Sequence, residues 1–191
     1  MYRKEEYYEW NYAKSTGLEN PIIEKEFLKM IGKNAIAASA LWIPTAATSK
    51  EAKAVLPKCM NDLLHAGIQR ENIYTYDLDY VMVYEELKKF DVVYVCGGDS
   101  AYLLEQMIKA DFIAPITKHA KSDGVYIGVS AGSIVCSQNF EKAISFLPCK
   151  LDVHCDTGHC AGSYDFAKEE CIRLTNSSAI VLTASEQKII A

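Results

Sequence analysis

No stretch of this 191-residue chain is apolar enough to cross a bilayer. The longest largely apolar run, Ala35 to Ala47, is interrupted by Ser39, Pro44 and Thr45, and it falls short of the ~20 residues a helical span needs. Positive charge is scarce as well: 20 Lys and Arg stand against 25 Asp and Glu, a formal charge of −5. Without a basic block the phosphate-neutralising term that dominates nucleic-acid binding is missing. The opening residues MYRKEEYYEW lack the apolar core of a signal peptide. Neither G-x-G-x-x-G nor G-K-[ST] occurs, so no nucleotide-binding fingerprint is present. The seven cysteines contain no C-x-x-C pair, and an odd count argues against a disulfide framework. Together these absences point to a cytoplasmic protein that binds neither nucleic acid nor membrane.

What the chain does have is apolar material in alternating segments. Half of its residues are apolar, ample for a core, and its length favours one domain over residues 1–191. Helical spacing follows Asn20-Pro21, and Ser49 to His65 reads as a helix stopped by Gly67, with Pro57 implying a kink or a late start. Ala40 to Pro44, Ile73 to Leu78, Asp91 to Val95 and Gly124 to Gly128 read as strands. Tyr84 to Lys89 reads as a short helix, and Ser100 and Asp111 as caps of two more. A helix from about Tyr164 to Arg173 then precedes strand-like Ala179 to Thr183 and Lys188 to Ile190. This alternation predicts an α/β fold, a three-layer α/β/α arrangement around a mostly parallel sheet. Residues 1–19 fit less well. Glu5, Glu6, Glu9 and Asn11 are too polar for the middle of a parallel sheet, which predicts an edge strand or a mobile arm.

Two glycine-rich loops follow the most apolar strands. Gly128-Val-Ser130-Ala-Gly132 matches G-x-S-x-G between a strand and a helical stretch, the context in which a serine is lifted above a sheet edge as a nucleophile. The amide of Ala131 would face an oxyanion there. Cys96-Gly97-Gly98-Asp99 opens another helix, and the Gly98 amide could complete the oxyanion hole. Gly97 and Asp99 are candidate substrate contacts. The bland alternative for both loops is a simple turn.

A serine nucleophile needs a base. Of four histidines, His65 and His119 sit near predicted helix C-termini, where a cation complements the dipole. His154 and His159 lie in LDVHCDTGHC, and His154, at the end of an alternating stretch, could project from the same sheet edge as Ser130. That favours His154 over His159. The same segment, with Cys149, Cys155, Cys160 and Cys171, offers zinc-type ligands, but adjacent His-Cys pairs point to opposite sides of an extended chain. No metal is expected. Cys59, Cys96 and Cys136 lie in apolar segments and read as small buried hydrophobes.

In the order LWIPTAATS, DVVYVCGGDSAYLL, YIGVSAGSIV and the histidine segment, the chain resembles the peptidase E (dipeptidase E, aspartyl dipeptidase) family of serine peptidases from about Pro21 to Ala191. The resemblance implies a class I glutamine amidotransferase-like (flavodoxin-like) fold and cofactor-free hydrolysis of small peptides, typically dipeptides with N-terminal aspartate. It implies Ser130 as nucleophile, His154 as base and the Gly98 and Ala131 amides as the oxyanion hole, in a monomer or homodimer. The chain departs from the family in three places. The family's apolar first strand is not recognisable in Met1 to Leu18, and Asn176 aligns with the family's third, acidic, triad member. Asp152 and Asp156 are the carboxylate alternatives to that asparagine. After His154 no arginine occurs before Arg173, so a clamp for an aspartyl side chain is not evident. A catalytically silent amidotransferase-like module that binds a ligand or partner is the competing reading.

Overall fold

The computed structural model describes residues 10–14, 18, 20–122, 124–183 and 185–191. The first half of the described chain runs β1 (Trp10–Lys14), α1 (Pro21–Ile31), β2 (Ala40–Ile43), α2 (Lys50–His65), β3 (Ile73–Thr75) and α3 (Tyr84–Leu87). It continues with β4 (Val92–Val95), α4 (Ser100–Lys109), α5 (Ile113–Ala120), β5 (Val125–Val129) and α6 (Ala131–Ile134). The last part is built mainly of short strands: β6 (Lys150–Asp152), β7 (Gly162–Ser163), β8 (Cys171–Arg173), β9 (Ala179–Thr183) and β10 (Gln187–Ile190).

Eight of these strands form one sheet in the order β3-β2-β4-β5-β1-β9-β10-β7. Pairing is parallel from β3 to β1 and antiparallel from β1 to β7. Strands β2, β4 and β5 are buried at every position, as expected where helices cover both faces of a parallel sheet. Their alternate residues feed two separate cores. Leu41, Val93, Val95 and Tyr126 pack with Leu103, Met107 and Ile116 of α4 and α5 on one face. Trp42, Tyr94 and Ile127 pack with Ile23 and Phe27 of α1 and Leu63 of α2 on the other. Each fully buried Leu, Ile or Phe contributes about 1.5–3 kcal/mol, so the helices are held to the sheet mainly by these contacts. The result is an α/β fold with parallel central strands between helices.

Several local expectations change. Residues 10–14 form an interior strand, with β5 parallel on one side and β9 antiparallel on the other, rather than an edge strand or arm. Glu5, Glu6 and Glu9, which carried much of the polarity, lie outside the described residues. Pro57 sits within α2, which starts at Lys50 and so has no late start. The cap of α4 is Asp99, whose carboxylate accepts from the Tyr102 amide at 2.9 Å, and not Ser100. Asp111 follows the end of α4 with φ 51° and leaves Phe112 as the residue preceding α5; a short polar side chain tolerates this left-handed position. His119 does lie in the last turn of α5, but it is 2% exposed and burial lowers its pKa. A neutral ring with Nε2 2.9 Å from the Phe90 carbonyl oxygen replaces the expected dipole-facing cation.

The segment from Tyr164 to Arg173 is not a helix. It holds one 3₁₀ turn, Phe166–Lys168, and then β8, which pairs in parallel with β6 as a second, two-stranded sheet. Burial explains the difference: Phe166, Ile172 and Leu174 are the buried apolar side chains here, and their spacing does not trace a helical stripe.

Candidate functional site

Parallel pairing sets the site. Val95 of β4 lies beside Gly128 of β5, so the loops leaving both strands emerge at the same sheet edge, the usual place for ligands in open α/β sheets. Ser130 occupies the single residue between β5 and α6 with φ 49° and ψ −107°. A non-glycine residue held there costs about 1–3 kcal/mol and persists only when its surroundings enforce it. Two hydrogen bonds brace the bend. The Tyr126 hydroxyl donates to the Gly132 carbonyl at 2.7 Å, and the Ser133 hydroxyl donates to the Gly128 carbonyl at 2.6 Å. Sequence reasoning missed both braces, although Tyr126 and Ser133 flank the motif.

The second loop reaches Ser130 because it is glycine. A Cβ on Gly97 would lie 3.0 Å from the Ser130 Cβ. Gly98 has φ +144°, and a Cβ there would fall 1.9 Å from the Ala46 carbonyl oxygen. The chain can therefore turn past Ala46 only without a side chain. Ala131 supplies the first amide of α6, which has no partner within the helix.

The histidine arrives from the smaller sheet, not from the edge that carries Ser130. β6 and β8 are held together by Leu151 beside Ile172, and beyond them the Leu174 amide donates to Asp152 and the Cys155 amide to Leu174. His154 sits in this crossing with φ 60°. Its Nε2 is 2.9 Å from Ser130 Oγ, and its Nδ1 is 2.7 Å from Asn176 Oδ1. An amide oxygen only accepts, so the proton resides on Nδ1 and Nε2 offers its lone pair to the serine hydroxyl. Asn176 is positioned by the turn that follows β8, where the Thr175 amide donates to Ser178 Oγ at 2.9 Å.

The His159 amide donates to the Arg173 carbonyl, and the Arg173 amide donates to His159 Nδ1 at 3.0 Å, so that ring ties two loops together. Asp152 faces the Cys171 thiol, and Asp156 is exposed. The exposed Arg173 guanidinium lies near the Cys155 thiol, which raises its pKa. Asp99 caps α4. No group of three or more His, Cys, Asp or Glu among the described residues is arranged to hold a metal ion. Cys59, Cys96 and Cys136 are buried, and the Cys59 thiol is held below its ordinary pKa chiefly by its contact with Cys96.

Beside Ser130 opens a cavity of about 350 Å³. Gly97, Gly98, Val129, Ser130 and His154 form one wall, and α2 forms the other. Ala52, Val55, Leu56 and Cys59 recur at helical spacing on that wall. Asp62 lies at the buried end, accepting a hydrogen bond from the Tyr94 hydroxyl at 2.6 Å. The spacing of the α2 residues was visible in the sequence, but an apolar stripe on a helix reads first as core.

No described helix is long and apolar enough to cross a membrane. Residues 13–147 match the pattern that defines Peptidase family S51. The chain is 27% identical over 103 residues to the uncharacterized peptidase PM1590 of Pasteurella multocida, and 29% identical over 100 residues to the uncharacterized peptidase Lin0382 of Listeria innocua. These alignments cover 54% and 51% of this chain and 50% and 47% of the relatives, so the matched stretch spans about half of each curated relative. In structure, the chain resembles a Listeria monocytogenes protein assigned to peptidase E, with a TM-score of 0.74 and 16% identity, over 96% of this chain and 98% of that one. It also resembles a peptidase from an acI-B1 actinobacterium, with a TM-score of 0.65 and 18% identity, over 100% and 91%. At such identities the structural likeness speaks for the fold.

Proposed function

The chain belongs to Peptidase family S51, a family of serine peptidases, and on that premise we propose that it hydrolyses small peptides, dipeptides foremost, with Ser130 as nucleophile. One observation carries this reading: the unbroken hydrogen-bonded series from Ser130 Oγ through both nitrogens of His154 to Asn176 Oδ1. In the proposed reaction His154 Nε2 takes the hydroxyl proton as Ser130 Oγ attacks the scissile carbonyl. Asn176 holds the ring in the tautomer that permits this and turns its amide dipole toward the imidazolium. The amides of Gly98 and Ala131 receive the oxyanion. His154 then protonates the leaving amine, and a water activated by the same nitrogen releases the acyl group from Ser130.

The test is incubation of the chain with a panel of dipeptides, scored by chromatographic release of amino acids. Turnover of at least part of the panel is expected, and release from none would contradict the proposal. Asn176 gives a graded check. Asn176→Leu, which cannot accept from Nδ1, should lower kcat/KM by about 10²–10³-fold. Asn176→Asp restores an acceptor and should recover most of that loss. Equal damage from both substitutions would mean that Asn176 does not orient the ring.

A further inference from the structure

We infer that the cavity beside Ser130 receives an apolar side chain, that of the peptide residue whose carbonyl is attacked, in place of the aspartyl side chain that the resemblance implies. The inference rests on Ser130 being the nucleophile. Because the cavity's walls include both Gly98 and Ser130, a carbonyl lodged between them has its own residue's side chain adjoining the space. The facing wall is Ala52, Val55 and Leu56 of α2, with Val129 opposite. At about 350 Å³, the space is at the small end of ligand pockets and takes an apolar side chain with room to spare.

Charge points the same way. Among the described residues, the ionisable groups of the lining are the carboxylates of Glu51 and Asp62 and the ammonium of Lys58, besides the His154 ring and the Cys59 thiol. A substrate carboxylate entering this space would be stripped of water between apolar side chains and would meet two carboxylates for one ammonium, an unfavourable exchange. Arg173, the first arginine after His154 in the sequence, is not part of the lining, and neither is the nearer Lys168. Among the described residues of this pocket there is no arginine, and so no bidentate carboxylate clamp of the guanidinium type.

The experiment uses the α-aminoboronic acid analogues of leucine and aspartate, which form a tetrahedral adduct with a serine nucleophile, and measures how each slows fluorophosphonate labelling of Ser130. The leucine analogue is expected to protect at a concentration at least tenfold lower than the aspartate analogue. Val55 is 49% exposed, so Val55→Arg can be made without disturbing a core contact, and retention of the thermal melting profile checks this. That variant should weaken leucine protection by at least tenfold and strengthen aspartate protection. Equal protection, better protection by aspartate, or protection by neither, with Ser130 still labelled, would overturn the pocket assignment and leave the nucleophile standing. Equal weakening of both analogues in Val55→Arg would also overturn it. Failure of Ser130 to label at all would remove the nucleophile and this inference with it.

Discussion

Ser130→Ala is expected to lower kcat/KM for dipeptide hydrolysis by about 10⁴–10⁶-fold while the protein remains folded. The loss falls in kcat, because the substituted atom bonds to substrate only once the reaction begins. The amides of Gly98 and Ala131 and the cavity survive the change, so a small residual rate above that of water should remain. Ser130→Gly separates the chemistry from the fold. At φ 49° and ψ −107° a residue without Cβ is relieved of strain that alanine keeps, against the greater chain entropy of glycine. The glycine variant should be equally inactive yet more stable than the alanine variant by about 1 kcal/mol, which in a domain of this size raises the melting temperature by roughly 2–4 °C. Thermal denaturation beside the dipeptide assay checks both halves. Retained turnover in either variant would place the nucleophile elsewhere.

His154→Ala should cost about 10³–10⁵-fold in kcat/KM. The acceptor 2.9 Å from Ser130 Oγ is lost, and with it the means of removing the proton during attack and of returning it to the leaving amine. Because the two residues act as one unit, the double variant Ser130→Ala/His154→Ala should be no slower than Ser130→Ala alone within experimental error. His154 is exposed, so the space left by its ring is open to solvent, and added imidazole should restore part of the rate to His154→Ala but none to Ser130→Ala. Parallel rate measurements across imidazole concentrations test this. Additive losses, or rescue of both variants, would contradict a shared proton path.

The parts of this arrangement that were legible in the sequence are those fixed by neighbouring residues. The strands leading to Gly97 and Ser130 announced themselves as short apolar runs ending in glycine, and the strand-to-helix bend is encoded within Gly128 to Gly132. The parts that were illegible depend on partners far along the chain. The segment Trp10–Lys14 gains an interior place through β5 and β9, which local polarity does not reveal. The seat of His154 depends on β6 pairing with β8, across a stretch whose composition suggested a helix. Asn176 entered through family resemblance, since an asparagine before a strand carries no chemical signature of its own. The α2 wall was hidden for a different reason: Val55 and Leu56 follow the same periodicity as core residues, and only the position of the loops opposite makes them line a cavity.

The central claim is that Ser130 is made nucleophilic by His154, and it is tested most directly by mapping where a fluorophosphonate probe attaches. Mass spectrometry of the digested adduct should find one phosphonyl group per chain, on Ser130, with labelling abolished in Ser130→Ala and slowed at least a hundredfold in His154→Ala. Attachment to another residue, or labelling of Ser130 at the same rate without His154, would contradict the account.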